Sequence, residues 1–148
     1  MRKALKSEDE LVDIHHAGTA MRFLTAYFSS LEGREVVLTG SKRMTERPVK
    51  LLVDALKQMR ADISYEKNEG YPPIRIKGKK LEAETVSLEA NISSQYISAL
   101  MLIALSLHNG LEINLEGKIT STPYIKMTLE ILQRAGITGA FKGNNIKV

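Results

Sequence analysis

The chain has 148 residues, 43% of them hydrophobic, with no Trp and three Phe, so an aliphatic and Met-filled core is expected. It has no cysteine, which excludes a disulfide scaffold, a thiolate nucleophile and a Cys-ligated metal. The net charge of +4 comes from scattered residues. They form no basic stripe interleaved with aromatics, so no nucleic-acid partner is expected.

Behind Met1-Arg2-Lys3 there is no apolar segment of the kind a signal peptide needs. The longest apolar run, 96–107, falls short of the roughly 20 residues that cross a bilayer. No membrane partner and a cytoplasmic location are therefore expected.

Residues 1–16 are polar and leave room only for a strand remnant. A helix is predicted over 19–30 with Thr19 as its cap, then a β-branched strand over 35–39. Pro48 suits a first helical turn, and Val49, Leu52, Val53, Leu56 and Met59 form one apolar stripe ending at Arg60. Strands are predicted over 62–66 and 74–77, around the turn-rich 68–73, and over 85–89. Ser94 is read as the cap of a nearly all-apolar helix, 95–107, followed by a strand over 111–115. Thr122 is read as the cap of a helix that starts at Pro123 and stops at Gly136; one or two short strands close the chain.

An internal repeat runs through this order. Gly33 opens strand, Leu38-Thr39-Gly40, polar turn, Arg47-Pro48, helix and Arg60-Ala61-Asp62-Ile63. Gly110 opens strand, Leu115-Glu116-Gly117, polar turn, Thr122-Pro123, helix and Arg134-Ala135-Gly136-Ile137. Two copies some 75 residues apart predict two similar packing units, about 1–80 and 81–148.

Four stretches carry anion-binding chemistry: AGTAMR (17–22), RMTERP (43–48), SSQ (93–95) and STPY (121–124). Helix N-termini offer unpaired N–H groups and partial positive charge to phosphates and carboxylates. Glycine at position 18 permits close approach of a ligand to the backbone, or serves an ordinary turn. Arg47 offers a bidentate fork to an anion, or pairs with Glu46 or another carboxylate. One of Ser93 and Ser94 is explained by capping; the second Ser and Gln95 are spare donors, as is Ser121 beside Thr122. Adjacent His15 and His16 diverge and find no third ligand at metal spacing, so no metal is expected. Gly117-Lys118 fails as a phosphate-binding P-loop because Glu112 stands where its first glycine belongs.

The stretches AGTAMRFLTA (17–26), LTGSKRMTERPVKLLVDAL (38–56), YPPIRIKG (71–78), SSQYISALMLIA (93–104) and ITSTPYIKMTLEIL (119–132) resemble the 5-enolpyruvylshikimate-3-phosphate synthase family, in that family's order. The resemblance implies an α+β fold of repeated βαβαββ-type units, the inside-out α/β barrel of the enolpyruvyl transferases. It implies two of the three units of one domain. The implied reaction moves the carboxyvinyl group of phosphoenolpyruvate to the 5-hydroxyl of shikimate-3-phosphate and releases phosphate. It belongs to the shikimate pathway of aromatic amino acid biosynthesis and uses no cofactor.

Matched by motif, Gly18, Arg47 and Gln95 are implied to contact phosphoenolpyruvate, with Thr19 and Arg22 in support. Ser93, Ser94, Gln95 and Ser121 are implied to hold shikimate-3-phosphate, with Tyr124 lining that pocket. Gly18 is also where the herbicide glyphosate crowds the backbone in this family. Two departures stand out. His16 takes the place of the usual Asn before Ala-Gly-Thr, and the family's N-terminal stretch of Lys-Ser followed further on by Arg, and the opposite-domain Asp, Glu, Arg and Lys residues, have no counterpart. Those supply proton transfer, so no catalytic residue is assigned here and the chain by itself is expected to be silent, completed by the remainder of the same enzyme. The alternatives are the related UDP-N-acetylglucosamine carboxyvinyltransferases and, in another class, an RNA- or anion-binding module.

Overall fold

The computed structural model describes residues 1–120 and 122–148. The chain divides into two compact units, Met1–Leu81 and Glu82–Val148.

The first unit opens with a short helix α1 (Arg2–Lys6) and a three-residue strand β1 (Leu11–Asp13). Helix α2 (Gly18–Ser30) leads to β2 (Glu35–Thr39), a single helical turn α3 (Lys42–Thr45), helix α4 (Lys50–Gln58), and strands β3 (Asp62–Tyr65) and β4 (Ile74–Lys77). The sheet order is β1-β2-β4-β3, with β1 parallel to β2 and the other pairs antiparallel. Alternation decides which strand faces are covered: Val36, Leu38, Ile74 and Ile76 are fully buried. Helix α2 packs on β2 and β4, and α4 packs on α2 and β3 with Leu52, Val53 and Leu56, and Val49 and Met59 at its ends, all fully buried. A pairwise exposed ion cluster sits on the other face. Arg75 Nη1 lies 2.8 Å from Glu10 and 3.0 Å from Glu35, and its Nε lies 2.7 Å from Glu66.

Helix α2 is buried on nearly all sides, so its hydroxyls are satisfied within the helix. Thr25 Oγ1 donates to the Met21 carbonyl at 2.6 Å and Ser29 Oγ to the Thr25 carbonyl at 2.7 Å.

The second unit repeats the plan. It comprises β5 (Thr85–Glu89), α5 (Ser94–Ile103) with a 3-10 turn at Ala104–Ser106, β6 (Glu112–Glu116), α6 (Thr122–Arg134), β7 (Ala140–Lys142) and β8 (Asn145–Lys147). Its order β5-β6-β8-β7 has the same parallel pair followed by two antiparallel ones. Both units are thus mixed βαβαββ layers. Val86, Ile113, Leu115 and Ile146 form the sheet's inner face. Between α5 and α6, Ser98 and Thr128 hydroxyls meet at 2.7 Å in a buried pair, and Thr128 Oγ1 also donates to the Tyr124 carbonyl at 2.9 Å.

The local start and stop signals need correction in several places. Residues 1–16 hold a short helix and a paired strand, β1, because one inward residue, Val12, suffices to seat a strand whose backbone pairs with β2. Ala17, not Thr19, precedes α2, and Thr19 lies inside the helix. Ser93 rather than Ser94 is the cap position of α5, and its side chain makes no capping bond. Helix α6 already includes Thr122. Pro48 lies outside α4, whose cap position is Val49; the Val49 N–H is taken by the Gly70 carbonyl at 2.8 Å.

The repeat also slips by two residues at its helix ends. Arg60, at φ 63°, stands where Gly136, at φ 83°, stands in the second unit. In each case the next N–H reaches back to a carbonyl of the last turn, Ala61 to Leu56 and Ile137 to Leu132, both at 3.0 Å.

Candidate functional site

In both units two parallel strands end side by side, and each runs into a loop and a helix N-terminus. Ligands of open α/β sheets gather at such carboxyl ends. In the first unit the loops after β1 and β2 are laced together: the Ile14 N–H donates to the Thr39 carbonyl and the Ser41 N–H to the His15 carbonyl, both at 3.0 Å. In the second, the Ala90 N–H donates to the Glu116 carbonyl at 2.7 Å. The stretches the sequence offers to anions lie where these loops enter their helices: 17–22 and 43–48 in the first unit, 93–95 and 122–124 in the second.

In the first unit Gly18 opens α2 and is buried. A Cβ built on it would overlap Arg47 Nη1 and lie 3.1 Å from Arg47 Cζ and 3.2 Å from Arg22 Nη1. Two guanidinium groups thus converge on the first turn of α2, and only glycine leaves them room. Their roles differ. Arg22 is 4% exposed and spends its donors internally, Nη1 on the Gly18 carbonyl at 3.0 Å and Nη2 on the Pro48 carbonyl at 3.2 Å. It ties the start of α2 to the segment before α4. Arg47 is exposed and forms no ion pair among the described residues. From sequence, Arg47 is expected at the start of the following helix; its guanidinium lies instead at the start of α2. At the start of α4, Lys50 pairs with Glu69 at 3.0 Å and Asp54 at 3.5 Å. The hydrogen bond to Glu69 raises the Lys50 pKa and lowers that of Glu69.

Arg47 borders a pocket of about 400 Å³ together with His16, Ser41, Arg43 and Met44. No carboxylate is among these lining residues, so the pocket is cationic and suits a small acid or phosphate. Ser41 and Arg43 were not assigned from sequence. The signal available was their position immediately after a strand of the parallel pair.

In the second unit Ser93 is exposed, Ser94 is 9% exposed as the first residue of α5, and Gln95 is half-buried with partners of its own. Neither serine hydroxyl is engaged within the described residues, which leaves two donors beside the α5 N-terminus. Tyr124, 57% exposed, stands on the first turn of α6. Ser121 lies outside the described residues. No group of three His, Asp or Glu side chains suited to a metal occurs among the described residues, and no helix there is long and apolar enough to cross a membrane.

The comparisons return the same architecture. The solved EPSP synthase from Acinetobacter baumannii has the same fold over 94% of this chain and 30% of its own, with a TM-score of 0.75 at 21% identity. The family model for EPSP synthase (3-phosphoshikimate 1-carboxyvinyltransferase) matches residues 1–148, and the chain belongs to that family. A 3-phosphoshikimate 1-carboxyvinyltransferase of Bacteroides fragilis is 48% identical over 149 residues, all of this chain and 36% of that protein. The enzyme of the same name from Colwellia psychrerythraea is 47% identical over 123 residues, 83% of this chain and 29% of its own length. The chain thus spans about a third of the length of these relatives.

Proposed function

We propose that these 148 residues are the part of a 3-phosphoshikimate 1-carboxyvinyltransferase that carries half of each substrate site, acting in the cytoplasm. The whole enzyme would transfer the carboxyvinyl group of phosphoenolpyruvate to the 5-hydroxyl of shikimate-3-phosphate. In this reading Gly18 and Arg47 receive phosphoenolpyruvate in the first unit, with Arg22 and Thr19 fixing the loop. Ser93, Ser94, Gln95 and Ser121 hold shikimate-3-phosphate in the second, with Tyr124 beside them. Gln95 is assigned to phosphoenolpyruvate as well.

The observation that carries the reading is the Arg47 guanidinium seated over Gly18 at a helix N-terminus, in no ion pair with a carboxylate among the described residues. An anion there bonds the guanidinium fork and meets the positive end of α2 together. The pocket offers positioning and charge but no acid–base pair, and proton transfer requires one within hydrogen-bond reach. The chain alone is therefore expected to bind without turnover, and the remainder of the enzyme to supply the proton-transfer groups.

The test is direct. The isolated chain, mixed with both substrates, should release no phosphate, yet phosphoenolpyruvate should shift the amide resonances of Gly18 and Arg47 saturably. Shifts confined to other residues would refute the assignment.

A further inference from the structure

We infer that His16 is an additional anion-binding residue of the Arg43–Arg47 pocket, and that it makes anion affinity there rise as pH falls. The inference rests on the reading of that pocket as an anion site and adds a residue and a pH response to it.

Four observations carry it. His16 lines the pocket with both arginines. Its Nδ1 lies 2.7 Å from Ser41 Oγ, so the ring is held and Nε2 is the nitrogen left for a ligand. Ser41 occupies the cap position of α3 yet makes no side-chain capping bond, so its hydroxyl serves the histidine and not the helix. The loop beneath is pinned as well. His15 adopts φ 51°, its N–H donates to Asp13 Oδ1 at 2.7 Å, and its carbonyl accepts from the Ser41 N–H at 3.0 Å.

The chemistry follows from the two protonation states. With Ser41 O–H donating to Nδ1, the neutral ring carries its proton on Nε2 and offers one uncharged donor. The imidazolium offers a charged donor, and Ser41 then accepts from Nδ1–H. The hydroxyl serves both states by rotating. Arg43 and Arg47 line the pocket with the ring, and the neighbouring His15 stands 3.9 Å from Asp13 with its side chain 83% exposed. His15 is the adjacent imidazole and does not line the pocket, so its own variant serves as the control.

Sulfate is the probe, because its charge is constant between pH 5.5 and 8 and any pH response belongs to the protein. Sulfate titrations of the 148-residue chain at low ionic strength, followed by amide shifts, should give about fivefold tighter binding at pH 5.5 than at pH 8, the fold-change of one surface ion pair. His16→Asn should remove that ratio while still binding at pH 8; His15→Asn should keep it. Arg47→Ala should weaken sulfate at both pH values. A long-range imidazole nitrogen spectrum at pH 8 should show His16 protonated at Nε2, and Ser41→Ala should mix the two tautomers. If the chain binds sulfate through Arg47 but the ratio survives His16→Asn, the inference fails and the anion pocket stands. If no sulfate binds at either pH, both fail.

Discussion

Replacing Gly18 by alanine isolates the arrangement on which the site depends. The new Cβ would overlap Arg47 Nη1 and crowd Arg22 Nη1 at 3.2 Å. Arg22 is buried and bonded on both sides, whereas Arg47 is exposed, so Arg47 is the group that moves. Stability should change little: alanine is the better helix former by about 0.5–1 kcal/mol, which offsets the crowding of Arg22. Affinity should suffer. A guanidinium about 4 Å from an anionic oxygen contributes about 4 kcal/mol at an effective dielectric of about 20, about 3.3 at 5 Å and about 2.4 at 7 Å. The retreat of Arg47 therefore costs about 0.8–1.8 kcal/mol, a loss of about fourfold to twentyfold in phosphoenolpyruvate affinity. Amide-shift titrations at low salt measure the affinity and thermal melts the stability. In the double variant with Arg47→Ala, the glycine change should cost nothing further. Unaltered affinity in Gly18→Ala, or a full second loss in the double variant, would refute the reasoning.

Three further predictions concern the frame that holds the loops. In Gly78→Ala the Cβ would meet the Phe28 carbonyl oxygen at 2.6 Å and overlap that of Leu31, both backbone, so equilibrium denaturation should show a loss of about 3 kcal/mol or more. Thr128→Val strips the buried Ser98 hydroxyl of its partner and should cost about 1–2 kcal/mol; Ser98→Ala should cost less, about 1 kcal/mol, because Thr128 still donates to the Tyr124 carbonyl, and the double variant should cost less than the sum. Arg60→Gly should gain about 0.5–1 kcal/mol and Gly136→Ala lose a similar amount, since both positions have positive φ; both are read from denaturant midpoints.

The strands from β2 to β6 were legible because one face of each is buried and alternation reports that face, whereas the closing pair β7 and β8, three residues each, was foreseen only as one or two short strands. β1 was not, since a three-residue strand with a single inward Val12 carries no periodicity, and its pairing with β2 is a tertiary event. The caps were displaced because cap preference assumes that a serine or threonine hydroxyl serves its own helix. Ser41 turns its hydroxyl to His16 instead, and Ser93 makes no capping bond. The repeat slipped at Arg60 because arginine there adopts a backbone conformation that sequence assigns to glycine. For the site, residue types pointed to anions, but which loops meet is set by strand order. The parallel pair β1–β2 brings Arg47 to Gly18, and the pair β5–β6 sets two strand ends side by side ahead of α5 and α6. His16 and Ser41 were illegible for the same reason, being 25 residues apart.

The claim that the chain carries half of each substrate site is tested most directly by titrating it with each substrate separately and following backbone amide shifts. The account predicts saturable shifts at Gly18 and Arg47 with phosphoenolpyruvate and at Ser93, Ser94 and Gln95 with shikimate-3-phosphate. Shifts at neither set with millimolar ligand, or the same residues responding to inorganic sulfate as strongly as to either substrate, would contradict it.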